Sequence, residues 1–321
     1  MKLSSFGFIV VLVALVAGSG AAQAQSCSFS MTDVNFGLLD PPATSASPYS
    51  TATGTFSANC TGDAGKTVYV CAKLVDGTGG RADDTFYFDG GSQNIAFVLY
   101  HDSWGYTDVW GNSGATGYSA VALSVALNTS GSGSASQTIT AELSVASSVS
   151  SGTYVSTFTG SNLSIRYGYT SSSNCTENLG TNTTASFRVM AGINDACLVS
   201  ATDLDFGEVS SLANGVTGSS TIDVQCTTDL DYSVMLNGGV HGTISERKLA
   251  KTGSTATTIA YNLYTDASRQ FVWGDSTTGT VSTGKGDGSI HTIPVYGKVA
   301  AQQIMPEAGI YTDTVTVTVT Y

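Results

Sequence analysis

The side chains best suited to covalent chemistry in this sequence are its six cysteines. They are Cys27, Cys60, Cys71, Cys175, Cys197 and Cys226. No two of them have the Cys-x-x-Cys spacing that is typical of zinc sites and thioredoxin-like redox centres. An even number of cysteines in an exported protein favours disulfide bonds instead. The cysteines therefore predict a cross-linked framework rather than a metal site or a catalytic nucleophile.

The other residue types that could support catalysis do not form a recognisable constellation. The histidines His101, His241 and His291 have no His-Glu-x-x-His spacing, and the chain has no Gly-x-Ser-x-Gly or Gly-x-Gly-x-x-Gly motif. Asp83 and Asp84 lie in a glycine-rich segment, where acidic residues mostly form turns. We therefore expect no enzyme, no cofactor and no metal ion.

Residues 1–24 have the layout of a secretory signal peptide. Lys2 precedes an apolar run over residues 8–16, and Ala22-Gln23-Ala24 is a small-residue cleavage site. We expect cleavage before Gln25 and export of the mature chain. The net charge of −12, without any cluster of Lys or Arg, argues against nucleic acid as a partner.

An internal repeat organises the exported part of the chain. Matching landmarks in the same order are Cys27 and Cys197, Phe36-Gly37 and Phe206-Gly207, Cys60 and Cys226, Arg81 and Arg247, Trp110 and Trp273, and Tyr154 and Tyr311. The repeat predicts the disulfides Cys27–Cys60 and Cys197–Cys226, and leaves Cys71 for Cys175. Recurrence in both copies also favours a structural role for the tryptophans and arginines over ligand binding.

Each copy is predicted to be a β-sandwich. Residues 68–74, 121–127 and 139–143 alternate between apolar and polar side chains or nearly so, and glycine-rich turns separate such stretches. No helical period is visible. We expect an all-β protein with two tandem domains, an N-terminal binding domain over residues 25–180 and a C-terminal domain over residues 186–321.

The C-terminal residues alternate strictly and predict an edge strand. Val315, Val317, Val319 and Tyr321 share one face, and the threonines between them share the other. A strand with an apolar face and no following partner invites pairing with another chain. We therefore expect these four residues to line a groove that accepts a donor strand, so that the second domain lacks its own final strand.

A second alternating stretch precedes the second copy. Phe187, Val189, Ala191 and Ile193 share one face. Two interpretations remain open: this stretch is a donor strand that completes the first domain within the same chain, or it is the opening strand of the second domain. Ahead of Cys27, the mature chain retains only Gln25-Ser26, which is too short to donate a strand, so we expect the protein at one end of any polymer built by strand exchange.

These landmarks resemble the spore coat protein U domain, the pilin family of archaic chaperone–usher pili. The resemblance rests on Phe206-Gly207, Cys226-Thr227, Arg247, Leu263-Tyr264, Trp273-Gly274 and the ending from Gly309 onward, and continues more loosely over residues 27–167. It implies immunoglobulin-like domains and the role of a two-domain tip adhesin. It also implies a periplasmic chaperone, an outer-membrane usher and the next pilin subunit as partners, with extracellular display at the pilus tip.

Apolar residues that the second copy lacks are candidates for a surface-binding tip. They are Leu38, Leu39, Pro41, Pro42, Tyr49, Trp104 and Tyr106. Apolar side chains on loops often mark binding surfaces, which leads to the hypothesis of attachment to abiotic or host surfaces and of biofilm formation. The alternatives are that these residues fold back over the sandwich, a sugar-binding adhesin, a minor structural pilin, and a secreted coat protein.

Overall fold

The computed structural model describes residues 24–40, 49–89, 95–101, 108–111, 118–146, 148–171, 175 and 179–321. In these ranges the secondary structure is β-strand, apart from the short 3-10 helix Gly160–Asn162. Among the same residues, no helix has the length and hydropathy that crossing a membrane requires. The all-β prediction is therefore confirmed for the described part of the chain.

The first half of the chain forms fifteen strands in three sheets. The strands are β1 (Ser26–Met31), β2 (Val34–Leu39), β3 (Tyr49–Thr61), β4 (Thr67–Leu74), β5 (Arg81–Ala82), β6 (Thr85–Tyr87), β7 (Ile95–Tyr100), β8 (Val109–Trp110), β9 (Tyr118–Ser119), β10 (Val121–Ala126), β11 (Ser132–Val145), β12 (Gly152–Phe158), β13 (Leu163–Gly168), β14 (Thr181–Thr184) and β15 (Phe187–Ile193). One sheet follows the order β1-β3-β11-β7-β6-β5, with β8 and β9 attached to β7. The others are β10-β4-β13-β14 and β12-β15-β2.

The second half has a smaller set of strands in two sheets. They are β16 (Cys197–Ala201), β17 (Val216–Cys226), β18 (Asp231–Leu236), β19 (Arg247–Lys251), β20 (Ser254–Tyr264), β21 (Ser282–Lys285), β22 (Ile290–Val299), β23 (Tyr311–Thr312) and β24 (Val317–Thr320). The sheet orders are β16-β17-β22-β20-β19-β23 and β21-β18-β24. Each half buries its own apolar cluster, so the chain is two sandwich-like halves in tandem.

Period-two alternation explains how the strands build these cores. In β10 the side chains of Val121, Leu123 and Val125 are buried, whereas Ala122 and Ser124 between them are exposed. Successive side chains of a strand point to opposite faces, so one apolar face per strand is enough to form a sandwich interior.

Three disulfides reinforce the halves. Cys27–Cys60 and Cys197–Cys226 each join the first strand of a half to the strand beside it, with a Cα–Cα distance of 4.1 Å in both. Cys71–Cys175 ties β4 to the segment after β13. The pairing predicted from the repeat is confirmed.

The repeat is visible in shared contacts as well as in sequence. The Trp110 indole donates to the Ala72 carbonyl at 3.0 Å, and the Trp273 indole donates to the Val234 carbonyl at 2.9 Å. Both tryptophans are fully buried. The tyrosine hydroxyls in the two copies also match, because Tyr154 and Tyr311 each donate to the carbonyl four residues earlier at 2.8 Å.

The position of β15 differs from the predicted domain division. That division assigns residues 186–321 to the second domain, whereas β15 pairs with β12 and β2 of the first half. Its apolar side chains are buried in the aromatic core of that half. The change from one set of sheets to the other therefore comes between Ile193 and Cys197.

Candidate functional site

Strand β15 fills a slot between two strands of the first half. It runs antiparallel to β12 and parallel to β2. Phe187, Val189, Ala191 and Ile193 point inward and are each at most 3% exposed. The Phe187 ring stacks on Phe158 with 4.6 Å between ring centroids. This burial makes β15 an integral part of the first core.

The outward residue Arg188 fixes the start of β15 to the neighbouring chain segment. Its guanidinium donates to Asp33 Oδ2 from Nη2 at 2.7 Å and from Nε at 3.1 Å, and its main-chain N–H donates to Asp33 Oδ1 at 2.7 Å. These bonds hold the pKa of Asp33 below its usual range, with the side-chain hydrogen bond from Arg188 as the largest cause.

The second half contains counterparts of both strands that flank β15. Residues 204–209 correspond to β2, and residues 309–315 correspond to β12. The local frame around the β2 counterpart is the same: Gly37 N–H donates to Asn35 Oδ1 and Gly207 N–H to Asp205 Oδ1, at 2.9 and 2.8 Å. Both glycines have positive φ, +75° and +73°, which a residue with a Cβ rarely adopts.

A groove lies between these two counterparts. Its volume is about 280 Å³, and it opens to solvent. Buried apolar side chains form its floor, among them Ile222, Leu236, Leu263 and Val295, and carboxylates such as Asp203 and Asp313 lie along it. In the first half, the same place relative to the flanking segments is occupied by β15.

Both edges of the groove expose unpaired main-chain groups. The N–H and C=O groups of Leu204, Phe206, Asp313 and Val315 have no hydrogen-bond partner among the described residues. In the first half, the corresponding segments pair with β15. Unpaired strand edges beside an apolar floor are favourable sites for adding a strand.

A polar network stiffens one wall of the groove. Asp313 accepts hydrogen bonds from the Tyr261 hydroxyl at 2.8 Å and from the Val240 N–H at 2.8 Å. Burial raises the pKa of Tyr261 far above its usual value, and the hydrogen bond and charge of Asp313 raise it further. Tyr261 therefore stays protonated and acts as a hydrogen-bond donor.

The buried Arg247 extends this network into the core. Its guanidinium donates to Asn262 Oδ1 at 2.6 Å and to the Asn237 and Trp273 carbonyls, each at 2.7 Å from Nη2. Burial lowers the pKa of this guanidinium, against the raising effect of Tyr261 and Asp313. Its repeat partner Arg81 differs, since it is only half-buried and lies 4.9 Å from the Phe86 ring centroid.

The four residues predicted to share the groove face are not all brought together. Val315 and Val317 line the groove, and Val319 packs against the second core without lining it. Tyr321 is 60% exposed and lies beside Tyr232 at a separate surface. Val319 and Tyr321 therefore lie outside the groove, and Tyr321 follows the end of β24, which pairs with β18 only through residues 317–320.

The candidate tip residues are only partly within the described residues. Leu38 is 74% exposed, whereas Leu39 is partly buried against the first core. Tyr49 begins β3, but its side chain is outside the described residues, as are Pro41, Pro42, Trp104 and Tyr106.

Two residues important to this site were not singled out by the sequence. Asp33 and Asp203 both follow a threonine at matching repeat positions, and this Thr-Asp pair was the available signal. Among the histidines, His291 has hydrogen-bond partners at both ring nitrogens. Its Nδ1 lies 3.1 Å from the Tyr232 hydroxyl, and its Nε2 lies 3.0 Å from Asp287 Oδ1. In the described ranges, no group of three or more His, Cys, Asp or Glu side chains is arranged to hold a metal ion.

Comparison with one solved structure supports the two-half architecture. The tip adhesion subunit CsuE, in complex with the chaperone CsuC from archaic Csu pili of Acinetobacter baumannii, superimposes with a TM-score of 0.53 at 16% identity, covering 92% of this chain and 100% of that one. The CupB6 tip adhesin from Pseudomonas aeruginosa gives a TM-score of 0.37 at 13% identity, covering 93% and 94%. No curated protein matches the sequence.

The family model for the spore coat protein U domain matches in two segments. They are residues 12–161 and residues 183–318, which together span most of the chain and follow the internal repeat. The sequence landmarks, the paired sandwich halves and this match agree, and the chain belongs to the spore coat protein U domain family.

Proposed function

We propose that this protein is the tip adhesin subunit of a chaperone–usher pilus, joined to the fibre by a donor strand that enters the groove of its second half. The observation that carries the proposal is the contrast between the halves. The slot beside β12 and β2 holds β15, whereas the equivalent groove beside residues 204–209 and 309–315 holds no strand of the described chain.

The partners follow from the chemistry of the groove. An exposed apolar floor with unpaired edges needs covering during export, and we assign that role to a periplasmic chaperone; CsuE was solved in a pre-assembly complex with the chaperone CsuC. At an outer-membrane usher, the donor strand of the next pilin subunit then replaces the chaperone. The three disulfides fit an exported protein displayed outside the cell.

The use of β15 supports a position at the end of the fibre. In the described residues, this alternating strand is buried within its own chain, so it is not available to complete another subunit. We place the distal binding domain at residues 25–193, which extends the predicted 25–180 by β14 and β15. The fibre-joining domain then spans residues 197–321.

Co-expression in the periplasm with the cognate chaperone tests the proposal. Val315→Arg places a charge in the groove, and Ile304→Arg is the matched control because Ile304 is 94% exposed and does not line it. We expect the unaltered chain and the control to co-purify with the chaperone, and Val315→Arg to lose it. An unaltered chain that does not co-purify with the chaperone, or retention of the chaperone by Val315→Arg, would contradict the proposal.

We assign attachment to the loops of the first half together with Leu38, an apolar residue near the end of β2 that is 74% exposed. Replacing Leu38, Trp104 and Tyr106 by serine should reduce adhesion to plastic and biofilm formation without reducing secretion. Ile304→Ser, an equally apolar change in the other half, should leave adhesion intact. Unchanged adhesion of the triple variant would remove these residues from the binding surface.

A further inference from the structure

The contact between Arg188 and Asp33 shows how an inserted strand is recognised at the first groove. Asp33 is held in place by the preceding residue: Thr32 N–H donates to the Thr55 carbonyl at 3.1 Å, and Thr55 N–H donates to Thr32 Oγ1 at 2.8 Å. Asp33 then accepts hydrogen bonds from both the side chain and the main-chain N–H of Arg188. A carboxylate that binds a guanidinium and an adjacent N–H sets both the charge and the register of the strand.

Asp203 has the same local frame in the second half. Thr202 N–H donates to the Thr221 carbonyl at 3.0 Å, and Thr221 N–H donates to Thr202 Oγ1 at 3.1 Å. Asp203 follows Thr202 and lies at the open groove. Among the described residues, its carboxylate has neither a hydrogen-bond donor nor an ion-pair partner. The second half therefore has the carboxylate that matches Asp33, whereas no described strand lies in its groove to match β15.

We propose that the strand entering the second groove carries an arginine or lysine that pairs with Asp203, at the position that Arg188 occupies in β15. This inference rests on the proposed function and specifies its partner. The inserted strand runs parallel to residues 204–209 and antiparallel to residues 309–315, as β15 does between β2 and β12.

The remaining pattern of the inserted strand follows from the same register. The basic residue lies between two inward apolar residues, as Arg188 lies between Phe187 and Val189. The next inward residue is small, because Ala191 pairs with Tyr154 and the second half has a tyrosine, Tyr311, at that place. A net charge of −12 further favours a basic strand over an acidic one.

Peptide binding to the purified mature chain tests this inference. The probe is a synthetic peptide with the sequence of residues 186–193. A second, acidic peptide carries Arg188→Glu; this substitution is made only in the peptide and not in the protein. Calorimetry would measure both against the unaltered protein, Asp203→Arg, and the control Glu208→Arg, which makes the same charge change on the same segment. We expect the acidic peptide to bind about tenfold more weakly to the unaltered protein and to the control.

The reciprocal exchange identifies the pair. Asp203→Arg should reverse the preference, so that the acidic peptide binds more tightly than the basic one. Equal binding of both peptides to the unaltered protein would overturn the inference and leave the strand-accepting groove standing. Binding of neither peptide would overturn the inference together with the proposed function. A preference that Glu208→Arg also reverses would show a general charge effect and overturn the specific role of Asp203.

Discussion

At the scale of single residues, Arg81 and Arg247 show that a repeated residue can have different roles. Arg247 is completely buried and bridges main-chain carbonyls of two segments to the Asn262 side chain. Arg81 is half-buried, and its guanidinium lies over the Phe86 ring. The repeat correctly suggested a structural role, but burial and partners depend on contacts that sequence position does not specify.

Arg247→Met should lower the free energy of unfolding by about 3 kcal/mol or more, because it leaves buried carbonyl groups without a donor. The matched change Arg81→Met should cost about 1 kcal/mol or less, since that side chain reaches solvent. Urea denaturation of the full mature chain, followed by tryptophan fluorescence, measures both. Equal effects of the two substitutions would contradict the assignment of Arg247 as the centre of a buried network.

The ion pair of Asp33 and Arg188 should make stability depend on pH in the acidic range. The pKa of Asp33 is lower in the folded state than its ordinary value of 3.8. The pair therefore stabilises the protein fully above that value, and the contribution is lost as pH falls through the folded-state pKa.

Arg188→Gln tests this dependence. Both side chains are partly exposed, so we expect a loss of about 1 kcal/mol or less at pH 7 and a smaller loss at pH 3. Chemical denaturation at the two pH values measures the difference between variant and unaltered protein. A difference that stays constant between pH 7 and pH 3 would show that the ion pair is not its source.

At the scale of elements, β15 is the strand that distinguishes the two halves. The sequence predicted its alternating face but left its domain open, because a two-residue period does not say which sheet edge a strand joins. That choice depends on long-range packing, here the stack of Phe187 on Phe158 and its contact with Trp110. The alternation of residues 315–321 likewise predicted a strand but not where its last residue would lie.

Phe187→Ala should destabilise the first half by about 3–5 kcal/mol, because it removes a buried aromatic ring and leaves a cavity. Met190→Ala on the outward face of β15 is the control and should cost clearly less, since Met190 is only partly buried. Thermal unfolding by near-ultraviolet circular dichroism reports both. A small effect of Phe187→Ala would mean that β15 is not part of the folded first half.

The disulfide Cys71–Cys175 closes a long segment of the first half, with a sequence separation of 104. Replacing both cysteines by alanine should cost about 2–5 kcal/mol, largely because the unfolded chain regains freedom. Denaturant unfolding of the double variant would measure the loss. No change in the unfolding midpoint would show that this cross-link does not constrain the unfolded chain.

At the scale of the whole molecule, one fold is used twice, with its slot filled by β15 in the first half and open in the second. The sequence predicted the repeat, the disulfides and the all-β class, because cysteine spacing and alternation are local signals. It did not predict the pairing of Arg188 with Asp33, since residues so far apart in sequence meet only when β15 is inserted. The contact between Arg188 and Asp33 is the basis for expecting a basic residue in the strand that the open groove accepts.

Hydrogen exchange of individual main-chain amides tests the central claim most directly. In the purified mature chain, the amides of Asp313 and Val315 should exchange rapidly, whereas those in β15 should be protected. Adding the cognate chaperone should protect Asp313 and Val315 and leave β15 unchanged. Protection of Asp313 and Val315 in the chain alone, or no protection by the chaperone, would contradict the claim that the second half accepts a strand.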